Sequence, residues 1–170
     1  MGNEILELLR KKVTAQMLRD QLEQYIVKFL KSHNMCMLAT AKDNVPRATP
    51  IEYYSDGTTV YMIGDPGNKL DNIRSNPQVS IGIHDPLTGW LSVKGAQITG
   101  EATLITEDNP EHLEAMKIYK WWELGKELGQ DKPPSGRIII KIEAKKIEIV
   151  EIALKQRGYA ARQVWEAQES

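Results

Sequence analysis

Two cations in this chain stand close to features that bind anions. Arg47 lies in the stretch Val45-Pro46-Arg47-Ala48-Thr49-Pro50, which reads as a strand. Lys69 follows Gly67-Asn68 and opens the segment Leu70-Asp71-Asn72-Ile73-Arg74-Ser75-Asn76-Pro77, which reads as a short helix. A helix start offers free N–H groups and the positive end of the helix dipole. An arginine adds a planar fork that matches phosphate. Together they describe a phosphate clamp, although a surface arginine or lysine is by default simply solvated.

Other reactive residue types form no comparable set. Cys36 is the single cysteine and sits in the apolar run Met35–Ala41, as a small buried hydrophobe would. His33, His84 and His112 have no metal-ligand spacing. Ser92 and Ser135-Gly136 lack a nucleophile–base pattern, and Gly64-Asp65-Pro66-Gly67 does not match a phosphate-binding P-loop. Trp121-Trp122 fits core or dimer packing, with a lid over a ligand as the functional alternative.

The 170 residues suit one domain, and 26% charged residues with a net charge of −1 give no basic field for nucleic acid. No apolar stretch is long enough for a membrane helix, no signal peptide is visible, and one cysteine fits a cytoplasmic setting.

The elements that must position the two cations follow from periodicity. Apolar residues at helical spacing predict an amphipathic helix over 14–31, capped by Thr14, with a shorter helix before it. Strands are expected over Met35–Ala41, Arg47–Tyr54, Thr58–Ile63, Val79–His84 and Trp90–Ile105, the last bent near Gly95 or Gly100. A final strand pair begins at Ile138 and runs to Ile152. Asn109-Pro110 starts a helix expected to reach Leu128, and Lys132-Pro133-Pro134-Ser135-Gly136 is a loop. Short turns between strands predict a mostly β (α+β) fold: a six-stranded antiparallel split barrel with peripheral helices. The domain is divided into N-terminal helices 1–32, a barrel 33–152 and a polar, partly disordered tail 153–170.

The order of pieces over residues 45–77 resembles the pyridoxamine 5′-phosphate oxidase-related superfamily of FMN-binding split barrels. In that family an arginine strand, a hairpin strand and a short helix that starts basic and ends Asn-Pro follow one another. The resemblance spans about residues 25–150. It implies that Arg47 binds the FMN phosphate and that Ala48, Thr49 and Pro50 run along the flavin or its ribityl chain. It implies that Met62 and Ile63 pack near the flavin, and that Asn68 and Lys69 stand at the phosphate end. It further implies a homodimer whose partner subunit completes each site, with Lys94 or Gln97 of the Val93–Gly100 segment reaching the flavin.

One departure limits the activity. Oxidases proper of that family place a lysine five residues after the phosphate-binding arginine; here the residue is Glu52. A carboxylate repels a substrate phosphate. Residues 153–170 also hold no histidine for an arginine–histidine substrate segment. The resemblance therefore points to an FMN-dependent oxidoreductase other than a pyridoxamine-phosphate oxidase, with NADH or NADPH as the candidate donor. A flavin carrier, or a haem- or deazaflavin-binding protein on the same barrel, is the alternative.

Overall fold

The computed structural model describes residues 2–130 and 135–168. Its frame is one antiparallel sheet. Strands β1 (Met35–Lys42), β2 (Val45–Glu52), β3 (Tyr54–Asp56), β4 (Thr59–Gly64), β5 (Gln78–His84), β6 (Lys94–Ile105) and β7 (Ile138–Glu151) pair in the order β2-β1-β5-β6-β7-β4-β3. β8 (Arg162–Glu166) joins β7 on the stretch that β4 leaves free. Five helices decorate it: α1 (Gly2–Arg10), α2 (Arg19–Lys31), α3 (Asn68–Ser75), α4 (His112–Ile118) and α5 (Trp121–Glu127). The curled sheet makes the split barrel, with eight strands among the described residues where six were expected.

Alternation fills the interior. Cys36 and Leu38 of β1, Ile81 and Ile83 of β5, Ile98 of β6 and Ile140 and Ile142 of β7 all point inward and are buried. Ile26, Phe29 and Leu30 of α2 close one end of that core. A second, smaller cluster packs Tyr61, Ile105 and Ile139 against Met116, Tyr119 and Trp121. The expected bend falls at Gly100, where the register of β6 on β7 shifts. A Cβ there would meet the Glu143 carbonyl oxygen at 2.6 Å, so only glycine fits the crossing.

Several expectations change. The strand expected from Trp90 begins at Lys94, after a 3-10 turn over Trp90–Ser92, and the expected final strand pair is the single strand β7. The helix predicted over 14–31 begins at Arg19, and Thr14 caps nothing. The preceding segment is held extended because Met17 N–H donates to Gln163 Oε1 at 2.8 Å and the Ala15 carbonyl accepts from Ala160 N–H at 2.7 Å. The strand predicted over Arg47–Tyr54 is broken at Tyr53, whose N–H donates to Asn34 O and whose hydroxyl donates to Leu30 O, both at 2.9 Å.

The helix predicted from Asn109 to Leu128 is two short helices, broken at Lys120 with φ 60°. Asn109 instead accepts from Glu111 N–H at 2.8 Å. The break has a packing reason. Residues two apart on a continuous helix lie about 200° apart, yet Tyr119 and Trp121 are both buried, at 1% and 7% exposure. A left-handed residue between them turns both rings to the sheet.

Within the described residues the tail carries regular structure. A 3-10 turn over Ile152–Arg157 leads into β8, where Gln163 and Trp165 are buried between exposed Arg162, Val164 and Glu166. Trp165 Nε1 donates to Glu23 at 2.9 Å, which ties the tail to α2. The Lys132-Pro133-Pro134 part of the expected loop lies outside the described residues. Among the described residues, no helix is long and apolar enough to cross a membrane.

Candidate functional site

β2 and β3 end the sheet order, so the barrel is split beside them. A groove of about 570 Å³ lies there, lined by Thr49, Pro50 and Glu52 of β2, Ile63 of β4, Lys69 of α3, and Tyr119 and Trp121 from the broken helix. A smaller depression of about 380 Å³, lined by Arg47, Asn68 and Asn72, lies at the neighbouring helix start. Asn68 and Lys69 are neighbours in sequence and line one site each.

The cationic end is built from local contacts. Arg47 pairs with Thr40 across β1 and β2, so the two side chains share a face. The Thr40 hydroxyl is buried and accepts from Asn72 Nδ2 at 3.0 Å. Asn68 stands one turn before Asn72 on the same helix face, so this buried bond fixes the start of α3 beside Arg47. Gly67 precedes the helix with φ 146°, a conformation that favours glycine. Its carbonyl accepts from Leu70 and Asp71 N–H, which leaves the N–H groups of Asn68 and Lys69 without an intrahelical acceptor. Lys69 Nζ donates to the Asp65 carbonyl at 3.0 Å. The Arg47 guanidinium has no ion-pair or hydrogen-bond partner among the described residues.

The open edge supplies backbone groups as well. Pro46 and Pro50 fit only where the N–H side faces away from the β1 ladder. Ala48 shares their parity, so its N–H and C=O face the edge.

The opposite end is acidic and aromatic. The Tyr119 hydroxyl donates to Glu52 Oε1. Burial, and then the accepting Glu52 carboxylate, push the Tyr119 phenol above its ordinary range, so it remains a donor. Tyr54 packs edge-on against Tyr119 with ring centroids 5.2 Å apart. Trp121 Nε1 is buried without a partner among the described residues. Arg137 pairs with Asp65, a second carboxylate of the groove's lining beside Glu127.

The structure brings Thr49, Pro50, Ile63 and Lys69 to the groove, and Arg47 and Asn68 to the smaller depression. Ala48 is exposed on the opposite pleat face from Thr49. Met62 is fully buried in the barrel core, so its side chain faces away from the groove; only its neighbour Ile63 presents a side chain there. Lys94 and Gln97 line a separate hollow on the outer face, with Met37 and Gly82. Gln97 shares a row with Gly82, Met37 and Pro50, three strand spacings from Pro50, or roughly 14 Å. Lys94 is committed elsewhere: it pairs with Glu151 at 3.3 Å and lies over the Tyr25 and Phe29 rings.

Sequence reasoning missed Tyr119, Tyr54 and the positioning pair Thr40–Asn72. No local pattern marks the tyrosines, because the meeting of Tyr119 with Glu52 and Tyr54 depends on the kink at Lys120. The Asn72 amide had a weaker signal, as a polar residue one turn after Asn68 in the short helix that follows Gly67.

Comparison with known proteins agrees with this frame. Residues 22–151 match the family model described as pyridoxamine 5′-phosphate oxidase. An uncharacterised protein of Rhizobium meliloti is 31% identical over 98 residues, which cover 54% of this chain and 65% of that relative, just under two thirds of its length. A Listeria innocua structure provisionally assigned as a pyridoxamine 5′-phosphate oxidase superposes with a TM-score of 0.63 at 26% identity, over 75% of this chain and 97% of that one. A FAD-binding protein from Mesorhizobium loti shares the fold with a TM-score of 0.60 at 19% identity, over 74% of this chain and 90% of that one. The chain belongs to the pyridoxamine 5′-phosphate oxidase-like family of flavin-binding split barrels.

Proposed function

We propose that this chain binds FMN in the split of the barrel and acts as an FMN-dependent oxidoreductase. The observation that carries this is the unpartnered Arg47 guanidinium beside the open start of α3. A phosphate there meets the Arg47 fork, the free N–H groups of Asn68 and Lys69, and the Lys69 ammonium. Thr49, Pro50 and Ile63 then line the path of the ribityl chain and ring, with the Ala48 backbone on the open edge as a hydrogen-bonding pair. When bound, the flavin supplies the redox chemistry, with a nicotinamide dinucleotide as the candidate donor; the chain supplies position and charge.

The dimer belongs to the same reading. Met35 and Met37 are 53% and 40% exposed on the outer face of the β1–β2 hairpin, beside exposed Pro46, Ala48 and Pro50. A second copy covers this face and brings its own Gln97 row toward the flavin of the first. Lys94, held by Glu151, takes no part.

Pyridoxamine phosphate is not the substrate in this reading. Glu52 already accepts from Tyr119 and presents a carboxylate where a substrate phosphate would lie. The purified protein should show flavin absorption bands that bleach on anaerobic addition of NADH or NADPH. A Soret band, or a colourless protein that takes up no FMN, contradicts the reading. Flavin bands that do not bleach with either donor identify a carrier.

A further inference from the structure

The groove has two chemically opposite ends, and the flavin phosphate accounts for only one of them. At the other end Glu52 stands in a wall of aromatic rings. Its Oε1 accepts from Tyr119, and Oε2 has no basic partner among the described residues. The neighbouring cations point elsewhere: Arg137 is paired with Asp65, and Lys69 Nζ donates to the Asp65 carbonyl. Lys120, the other cation near these rings, lies over Tyr54 and beside Glu123 at 3.7 Å. A carboxylate accepts at up to four lone-pair positions, and a phenol uses one. Glu52, Tyr119 and Trp121 line the same groove. Aromatic faces attract cations and repel anions.

We infer that the Glu52–Tyr119 end is a recognition subsite for an organic cation, a protonated amine carried on an apolar or aromatic body. The amine hydrogen-bonds the free oxygen of Glu52. The body lies against Trp121 and Leu124. Tyr119 is a positioning residue: its hydroxyl fixes the carboxylate's rotamer and leaves the second oxygen for the amine. The kink at Lys120 serves this arrangement, because a straight helix would turn either Tyr119 or Trp121 away. The inference rests on the flavin occupying the cationic end, which leaves this end for the second reactant.

Three probes of one shape test it by calorimetry, with and without bound FMN: benzylamine, benzyl alcohol and benzoate. Benzylamine should bind at least tenfold more tightly than benzyl alcohol, and benzoate more weakly than either. Glu52→Gln, nearly isosteric and on an exposed strand position, should bring benzylamine down to the level of the alcohol. Glu52→Lys should reverse the order and favour benzoate. Tyr119→Phe should weaken benzylamine a few-fold while leaving the order unchanged. Equal binding of amine and alcohol by the unmodified protein, or a preference that survives Glu52→Gln, overturns the inference. FMN uptake is read separately from its absorption spectrum. A protein that discriminates the probes yet takes up no FMN refutes the flavin reading alone.

Discussion

The two ends of the groove are built in different ways. The cationic end draws on residues 40–72, from the β1–β2 hairpin to the helix α3 that follows the next hairpin. The acidic end joins Glu52 to Tyr119, sixty-seven positions away. Short-range construction makes the first end robust: Thr40–Asn72 is a single buried hydrogen bond between adjacent elements. The second end depends on a helix that breaks at a left-handed lysine and on aromatic packing across the barrel. In the proposed reading the cofactor's anchor sits on the local framework, and the part that selects a second reactant sits on the distant one. Loop-borne and helix-borne walls are also where variation among relatives of one fold is accommodated.

That contrast can be broken by mutation. The largest expected effect is at the acidic end. Trp121→Ala removes a ring buried against Ile139 and Met116 and should cost roughly 3–5 kcal/mol of stability, measured by chemical denaturation. A loss below about 1 kcal/mol would show that the α4–α5 wall does not depend on this packing.

Alkaline pH comes next. Burial pushes the Cys36 thiol from its ordinary 9.0 up to about 12. The folded chain keeps this proton while the unfolded chain releases it, so the contribution is complete below pH 9 and is lost as pH rises towards 12. Cys36 alone should contribute a fall of up to about 1.4 kcal/mol for each pH unit in that window, to which the buried tyrosines with raised values, such as Tyr53, add above pH 10. Cys36→Ala should make the slope shallower, most clearly between pH 9 and 10, and an unchanged slope there would refute the assignment.

Asn72→Ala leaves the buried Thr40 hydroxyl without its partner and should cost about 1–3 kcal/mol. It should also weaken FMN while leaving amine probes at the Glu52 end unchanged. Equal losses at both ends would mean that the two are one unit. The smallest effect is at the kink. Lys120 has φ 60° and ψ 33°, a region that glycine enters freely and β-branched residues resist. Lys120→Gly should stay within about 0.5 kcal/mol of the parent, and Lys120→Val should lose about 1–2 kcal/mol. Equal stability of the two variants would argue that α4 and α5 can fuse.

The same contrast explains what the sequence disclosed. Strand alternation and turn residues such as Asp43-Asn44 made most of the barrel legible, because those signals are local. The ordered motif over 45–77 exposed Arg47, Asn68 and Lys69 for the same reason. The helix over 14–31 was drawn too long because Gln163, far along the chain, captures the Met17 N–H. Tail residues 162–166 looked polar, yet Gln163 and Trp165 alternate inward once β7 is beside them. Met62 belongs to the right strand but has the wrong parity for the groove. Tyr119 carried no local signal, because what matters is the residue it meets.

The central claim is that Arg47 and Lys69 form a phosphate clamp, and a paired titration addresses it most directly. The protein is titrated with FMN and with riboflavin, which lacks the phosphate, alongside Arg47→Ala and Lys69→Ala. A charge-assisted hydrogen bond contributes about 1.5–3 kcal/mol, so each variant should lose about tenfold or more in FMN affinity. Riboflavin affinity should barely change. Equal weakening of both flavins, or no weakening of either, would contradict the account.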